Sequence, residues 1–392
     1  MWGDSGGRPG RSTTISYYRE TSSHRRTTPP DTALNTTAAP ISPTPDDARL
    51  VLLGAWLSSL PDDLGLSIDS LRPASDDASF RRYFRVDTRV DTRLDPAANP
   101  HASLIVMDAP PPQEDCAPFV HAAEVFARSG VSVPAIVAAD VPRGLLLLED
   151  FGSTTYLSQL SAATAPRLYG DAIDALIRLQ LASDQASFPP YDRERLMREL
   201  QLFPEWYVAR HKGITLDAGE QAVLDAAFEA ILQNTLAQPR VDVHRDFHSR
   251  NLMVLEGARN PGILDFQDAV CGPITYDLVS LLRDAYIRWE EEQIIDWAVR
   301  YWERARKAGL PVRADFGDFY RDFEWMGLQR HLKVLGIFAR LSHRDGKDRY
   351  LADLPLVLRY VQDVAARYVT LAPLSRLIDR IEGRSQRIGH TF

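Results

Sequence analysis

Three oxygen-bearing side chains, Asp246, Asn251 and Asp265, stand close together in one short stretch of this 392-residue chain. The first passage reads Val243-His244-Arg245-Asp246-Phe247-His248-Ser249-Arg250-Asn251-Leu252-Met253-Val254-Leu255. After a turn comes Gly262-Ile263-Leu264-Asp265-Phe266-Gln267-Asp268. This order suits phosphoryl transfer, in which positioning and charge neutralisation carry most of the work. Asp246 can reach an acceptor hydroxyl and take its proton. Asn251 can turn back towards a metal, and Asp265 adds the hard carboxylate oxygen that magnesium prefers. A polar turn between two buried strands would also hold an Asp and an Asn, but it does not call for the third oxygen donor, placed after Ile263-Leu264.

A loop between two strands is the element that can aim such side chains at one point, and short strands are expected between about 240 and 267. Upstream, Leu50-Val51-Leu53-Trp56-Leu57-Leu60 has helical periodicity. Strands are expected over 82–86, 104–108, 135–139 and 145–148, with a helix over 119–129 between Pro118 and Gly130. Val86-Asp87-Thr88-Arg89 recurs at once as Val90-Asp91-Thr92-Arg93, which reads as an extended hairpin loop. After Asp150-Phe151-Gly152 the pattern is mainly helical. The expected fold is therefore α+β and bilobal: a small mixed β-sheet lobe over 46–150, a hinge near 149–152, and a mainly helical lobe over 151–392. Residues 1–45, rich in Ser, Thr, Pro, Arg and Gly, read as a disordered tail. Trp289, Trp297, Trp302 and Trp325 lie among apolar residues at helical spacing and read as packing.

Bulk properties narrow the function. The net charge of -8 argues against broad nucleic-acid binding. Two cysteines, Cys116 and Cys271, form no disulfide framework and no zinc pattern. No apolar run approaches membrane-spanning length, and no secretory signal is evident. The expected setting is the reducing cytoplasm, with neither a membrane nor an obligate protein partner.

These passages resemble the aminoglycoside phosphotransferase superfamily, relatives of protein kinases, whose loop reads H-x-D-x-x-x-x-N. The likeness is closer to the bacterial anomeric kinases of N-acetylmuramate and N-acetylglucosamine, and it covers about residues 50 to 380. It runs through Asp77-Ala78-Ser79-Phe80-Arg81-Arg82-Tyr83-Phe84-Arg85, Met107-Asp108-Ala109-Pro110-Pro111 and Gly144-Leu145-Leu146-Leu147-Leu148-Glu149-Asp150-Phe151-Gly152. It continues through Phe203-Pro204-Glu205-Trp206-Tyr207 and Leu328-Gln329-Arg330-His331-Leu332-Lys333-Val334-Leu335-Gly336. The resemblance implies a magnesium- and ATP-dependent kinase of the anomeric hydroxyl of these sugars, acting in cell-wall recycling. Asp246 would be catalytic, and Asn251 and Asp265 would be metal ligands. His244 would be an architectural donor, Asp277 a capping or loop-bracing residue, and His248 a packing residue or a substrate contact. Main-chain atoms of Leu148 and Glu149 would meet the adenine.

The chain departs from kinases in lacking a lysine on the strand 104–108 and a Gly-rich loop at Ser75-Asp76-Asp77-Ala78-Ser79. Glu124 is either the partner a kinase helix supplies or an ordinary solvated residue. Arg81, Arg82 and Arg85 are candidates to replace the lysine, since guanidinium grips phosphate oxygens bidentately, with Ser79 approaching the phosphates. A solvated basic strand face is the alternative. For the acceptor, Glu205 and Trp206 offer a mixed polar and planar surface, and Arg330, His331 and Lys333 supply positive charge, one of which would pair with an N-acetylmuramate lactyl carboxylate; a core Trp206 and a solvated basic helix face are the alternative. The rival readings are a kinase of an aminoglycoside, a choline-like amine or homoserine, and a nucleotide-binding pseudokinase.

Overall fold

The structure, a computed structural model, describes residues 48–75, 80–89 and 103–384. The expected tail, the turn holding Ser79 and most of the repeat-bearing loop lie outside the described residues.

The small lobe is built on five strands: β1 (Leu66–Ser75), β2 (Arg82–Thr88), β3 (Ser103–Asp108), β4 (Ile136–Asp140) and β5 (Leu145–Glu149). Their spatial order is β1-β2-β3-β5-β4, and each pairing is antiparallel. The mixed character of the lobe thus lies in its helices, not in its strand pairing. Strand alternation explains which residues face where. On β5, Leu145 and Leu147 join Phe84, Val86, Leu104 and Val106 under helix α1 (Ala48–Ser58), whose Leu53, Trp56 and Leu57 cover that face. Leu146 and Leu148 point the other way, into the main core with Phe119 and Phe126 of α2 (Ala117–Arg128). Tyr83 and Arg85 on β2 therefore face the interlobe cleft. Strand β1 was not expected from the sequence because Pro73 interrupts it. It is an edge strand, where a proline costs no ladder bond.

The large lobe is helical: α3 (Tyr156–Gln159), α4 (Ala165–Leu181), α5 (Arg193–Leu200), α6 (Ala218–Leu236), α7 (Tyr276–Leu282), α8 (Glu291–Ala308), α9 (Phe316–Asp345), α10 (Leu354–Arg367) and α11 (Ala372–Ile381). Two antiparallel ladders interrupt the helices. Strand β6 (Arg240–Val243) pairs with β9 (Val270–Pro273), and β7 (Leu252–Met253) pairs with β8 (Gly262–Ile263). The loop from 244 to 251 joins the two ladders. At Gly262 an added Cβ would fall 2.5 Å from the Phe151 ring, so the hinge packs directly on the strand leading to Asp265. Helix α9 is the spine of the lobe, and nineteen of its thirty residues are buried, Leu328, Leu332 and Leu335 among them. Among the described residues, no helix is long and apolar enough to cross a membrane.

Candidate active site

The loop between the ladders is held by buried polar bonds. Asp277, at the start of α7, accepts the backbone N–H of His244 at 2.7 Å and of Arg245 at 3.0 Å. Burial raises its pKa to about 7, against the pull of those two donors. Asp277 therefore braces the loop rather than capping its helix. His244 completes the bracing, since its Nδ1 accepts the N–H of Asp246 at 3.1 Å while Nε2 lies 3.0 Å from the Leu264 carbonyl. One ring nitrogen accepts and the other donates, so the ring is neutral, and burial lowers its pKa to about 4. One side chain thus ties the backbone of Asp246 to the residue before Asp265. Ser249 anchors the far side of the turn, donating both its N–H and its hydroxyl to buried Asp284.

The three expected functional side chains converge. Asn251 Nδ2 donates to the Asp246 carbonyl at 3.1 Å and to Asp265 Oδ2 at 3.2 Å. Gln267 Nε2 donates to Asp265 Oδ1 at 2.7 Å. Arg245 (φ 77°) and Asp265 (φ 65°) both occupy the left-handed region, where non-glycine residues are strained and functional residues gather. Burial alone would raise the Asp246 carboxyl, but Lys333, His248, Arg330 and Arg245 outweigh it and hold it down at about 2. It is a carboxylate throughout the neutral range.

Two cavities meet at this point. One, of about 420 Å³ between the lobes, has apolar walls from Ile105, Leu148, Phe151, Met253 and Leu264. The other, of about 590 Å³ in the large lobe, contains Asp246, His248, Arg330 and Lys333. Both volumes fall within the roughly 300–1,000 Å³ typical of small-molecule sites. Arg250, Asn251 and Asp265 line both cavities.

Helix α9 supplies one wall of the second cavity through Arg330, Lys333, Val334, Ile337, Phe338 and Leu341. These follow the i, i+3, i+4, i+7 stripe of a single helix face. His331 lies roughly 100° of helix from Arg330 and roughly 160° from Lys333, at the edge of that stripe. It is buried, stacks on Tyr360 at 4.8 Å and sits 2.9 Å from the Arg283 carbonyl. The acceptor role expected for His331 is therefore corrected to packing. Glu205 and Trp206 do not line the cavity either. They lie on a π-helix, Phe203–His211, whose wide turns bury Phe203, Tyr207 and Val208 instead. Glu205 is exposed, and Trp206 packs against the core with Arg210 above its ring.

Leu148 and Glu149 line the interlobe cavity as expected. The small-lobe arginines are all paired. Arg81 meets Glu114 at 3.1 Å, Arg82 meets buried Asp108 at 2.6 Å, and Arg85 meets buried Asp150 at 2.5 Å. Arg85 alone of the three lines the cleft, at its hinge end, where it also donates to the Gly152 carbonyl. None stands unpaired in place of the strand lysine. Glu124 is exposed, and it is Glu114, ahead of α2, that meets an arginine. Arg250, not singled out from the sequence, also lines both cavities, and its place within the loop motif was the available signal. His248, read as loop packing or a substrate contact, packs edge-on against Tyr286 at 5.3 Å and also lines the cavity.

A two-lobed chain with a braced Asp-Asn-Asp cluster below its cleft has the layout of a phosphotransferase. The chain belongs to the phosphotransferase enzyme family, whose sequence model matches residues 70–316. Among individual relatives, it is 49% identical over 308 residues to the N-acetylmuramate/N-acetylglucosamine kinase of Pseudomonas aeruginosa, covering 79% of this chain and 87% of that one. It is 47% identical over 324 residues to the enzyme of that name from Neisseria meningitidis, covering 81% and 93%. A choline/ethanolamine kinase family protein from Mesorhizobium loti shares the fold with a TM-score of 0.55 at 14% identity, covering 85% of this chain and 99% of that one.

Among the described residues no group of three or more His, Cys, Asp or Glu could hold a metal by itself. The Asn251 carboxamide oxygen and the Asp265 carboxylate nevertheless fit magnesium, which binds through one or two protein oxygens and fills its sphere with water and phosphate.

Proposed function

We propose that this chain transfers the γ-phosphoryl group of ATP to the anomeric hydroxyl of N-acetylmuramate and N-acetylglucosamine, in the cytoplasm. Residues 46–150 would hold the nucleotide and 151–392 the catalytic loop and acceptor. The observation that carries this reading is the meeting of two cavities at Asn251 and Asp265, with Asp246 facing only the acceptor side. The one name shared by three relatives with almost half their residues identical supports the choice of sugars.

The adenine would enter between Ile105, Leu148 and Leu264, beside the backbone of Leu148 and Glu149. Magnesium held by Asn251 and Asp265 would neutralise charge on the β- and γ-phosphates. Asp246 accepts a hydrogen bond from the sugar hydroxyl, aims its oxygen at the phosphorus and takes the proton late, after the new bond has begun to form. With the small-lobe arginines paired, Arg250 is the cation at the crossing point. Its guanidinium rests 3.6 Å above the Tyr286 ring and 4.0 Å from Asp353, a loose hold that leaves it free to meet the transferred phosphoryl oxygens.

An ADP-release assay with N-acetylmuramate, with N-acetylglucosamine and without sugar tests the reading. Sugar-dependent release supports it. Release with choline or an aminoglycoside alone, or nucleotide binding with no release on any acceptor, would overturn it.

A further inference from the structure

Four cationic residues line the acceptor cavity, and they are not equivalent: Arg250, Arg330, Lys333 and Arg349. Arg330 is buried, donates to Ser280 Oγ at 2.7 Å and lies 3.8 Å from Asp246. Lys333 is buried between the Tyr276 hydroxyl at 3.1 Å and Glu199 at 3.3 Å. Both charges are spent on the catalytic loop and its supports. Arg250 reaches into the nucleotide cleft. Arg349 differs from all three. It is exposed, its guanidinium lies 5.3 Å from the Tyr350 ring, and no carboxylate among the described residues pairs with it.

We propose that Arg349, beside Tyr350, is a carboxylate subsite that receives the lactyl arm of N-acetylmuramate and sets the preference between the two sugars; this rests on the sugar-kinase reading above. The two sugars differ by one ether-linked lactyl group, an anion at neutral pH. At the inner end of the cavity Asp246 and Asp265 already present carboxylates, and Arg330 and Lys333 are engaged there by Asp246 and Glu199. Ring contacts lead away from that end, from His248 to Tyr286 at 5.3 Å, on to Phe338 at 6.2 Å, and to Tyr350 at 5.3 Å. With the anomeric carbon at Asp246, a pyranose lies along this wall and its anionic arm projects towards the segment Asp348–Asp353, where Arg349 has no carboxylate partner among the described residues. A planar guanidinium then grips the carboxylate through paired N–H donors. A lone surface arginine would be unremarkable. Its position on the cavity rim, at the end of an aromatic wall leading out from the catalytic loop, is what assigns it a ligand.

The test compares wild-type full-length enzyme with Arg349→Ala and Arg349→Lys on N-acetylmuramate, its lactyl methyl ester and N-acetylglucosamine. In Arg349→Ala, the ratio of kcat/KM for N-acetylmuramate to that for N-acetylglucosamine should fall about tenfold to a hundredfold, mainly through KM. Discrimination between acid and ester should vanish, and Arg349→Lys should restore part of it. An unmoved ratio, or an equal fall on all three substrates, overturns the assignment while leaving the kinase reading intact. Wild-type enzyme inactive on both sugars overturns the kinase reading and this subsite with it.

Discussion

Replacing Asp246 by Asn removes the proposed proton acceptor and changes the shape of the site least. Asn keeps an oxygen that can accept the hydroxyl, so alignment survives in part while proton acceptance and the negative charge are lost. A positioned base contributes about 10²–10⁴ in rate. The cations around Asp246 hold its pKa near 2, a poor match to a base working at neutral pH. The lower half of that range is therefore expected, a fall in kcat of about 10²–10³, or roughly 3–4 kcal/mol of barrier. Asp246 faces the acceptor cavity and not the interlobe one, so ADP affinity measured by calorimetry should stay within about twofold. The acid side of the wild-type pH profile adds an independent check. A group with a pKa of about 2 stays ionised down to pH 4, so it contributes no acid limb above that pH. A kcat within tenfold of wild type, or a parallel loss of ADP binding, would refute this role for Asp246.

Arg250→Ala should lower kcat at least about a hundredfold on both sugars alike if, as proposed, it meets the phosphoryl group and not the sugar; a sugar-selective loss in steady-state kinetics would count against that placement. His244 has a folded pKa of about 4 against an ordinary 6.5, so the unfolded chain takes up its proton first as pH falls. Stability should thus be full above about pH 6.5 and drop by up to about 3 kcal/mol towards pH 4. Urea midpoints at pH 7.5 and 4.5 should separate by more in wild type than in His244→Gln, and equal separations would contradict the neutral-ring assignment. At Gly336 on α9 an added Cβ would sit 2.4 Å from the Leu202 backbone, so Gly336→Ala should destabilise by about 1–3 kcal/mol. Thermal melting would show this, and an unchanged midpoint would mean that the contact yields freely.

The candidate cluster was legible in the linear chain because it lies within it. Asp246 and Asn251 fall inside one loop, and Asp265 follows the β7–β8 ladder directly after it, so these groups are near one another along the chain. The buried leucines of β5 were legible for a similar reason, since a short apolar run announces a strand covered on both faces. Charge pairing across the sheet was not. That Arg81, Arg82 and Arg85 end on Glu114, Asp108 and Asp150 depends on which residues the small lobe brings opposite them, up to 65 positions away.

Helix rotation was the other decision left to the tertiary structure. Arg330, His331 and Lys333 look like one basic cluster when read in a line. Packing α9 against α10 turns His331 into the core and leaves Arg330 and Lys333 on the cavity. The irregular π-helical turn likewise carried Glu205 and Trp206 away from the acceptor. Order along the chain thus determined the candidate reacting groups, while the docking of helix faces decided which charges line the cavity, because a side chain's direction depends on its phase around the axis as well as on its place in the sequence.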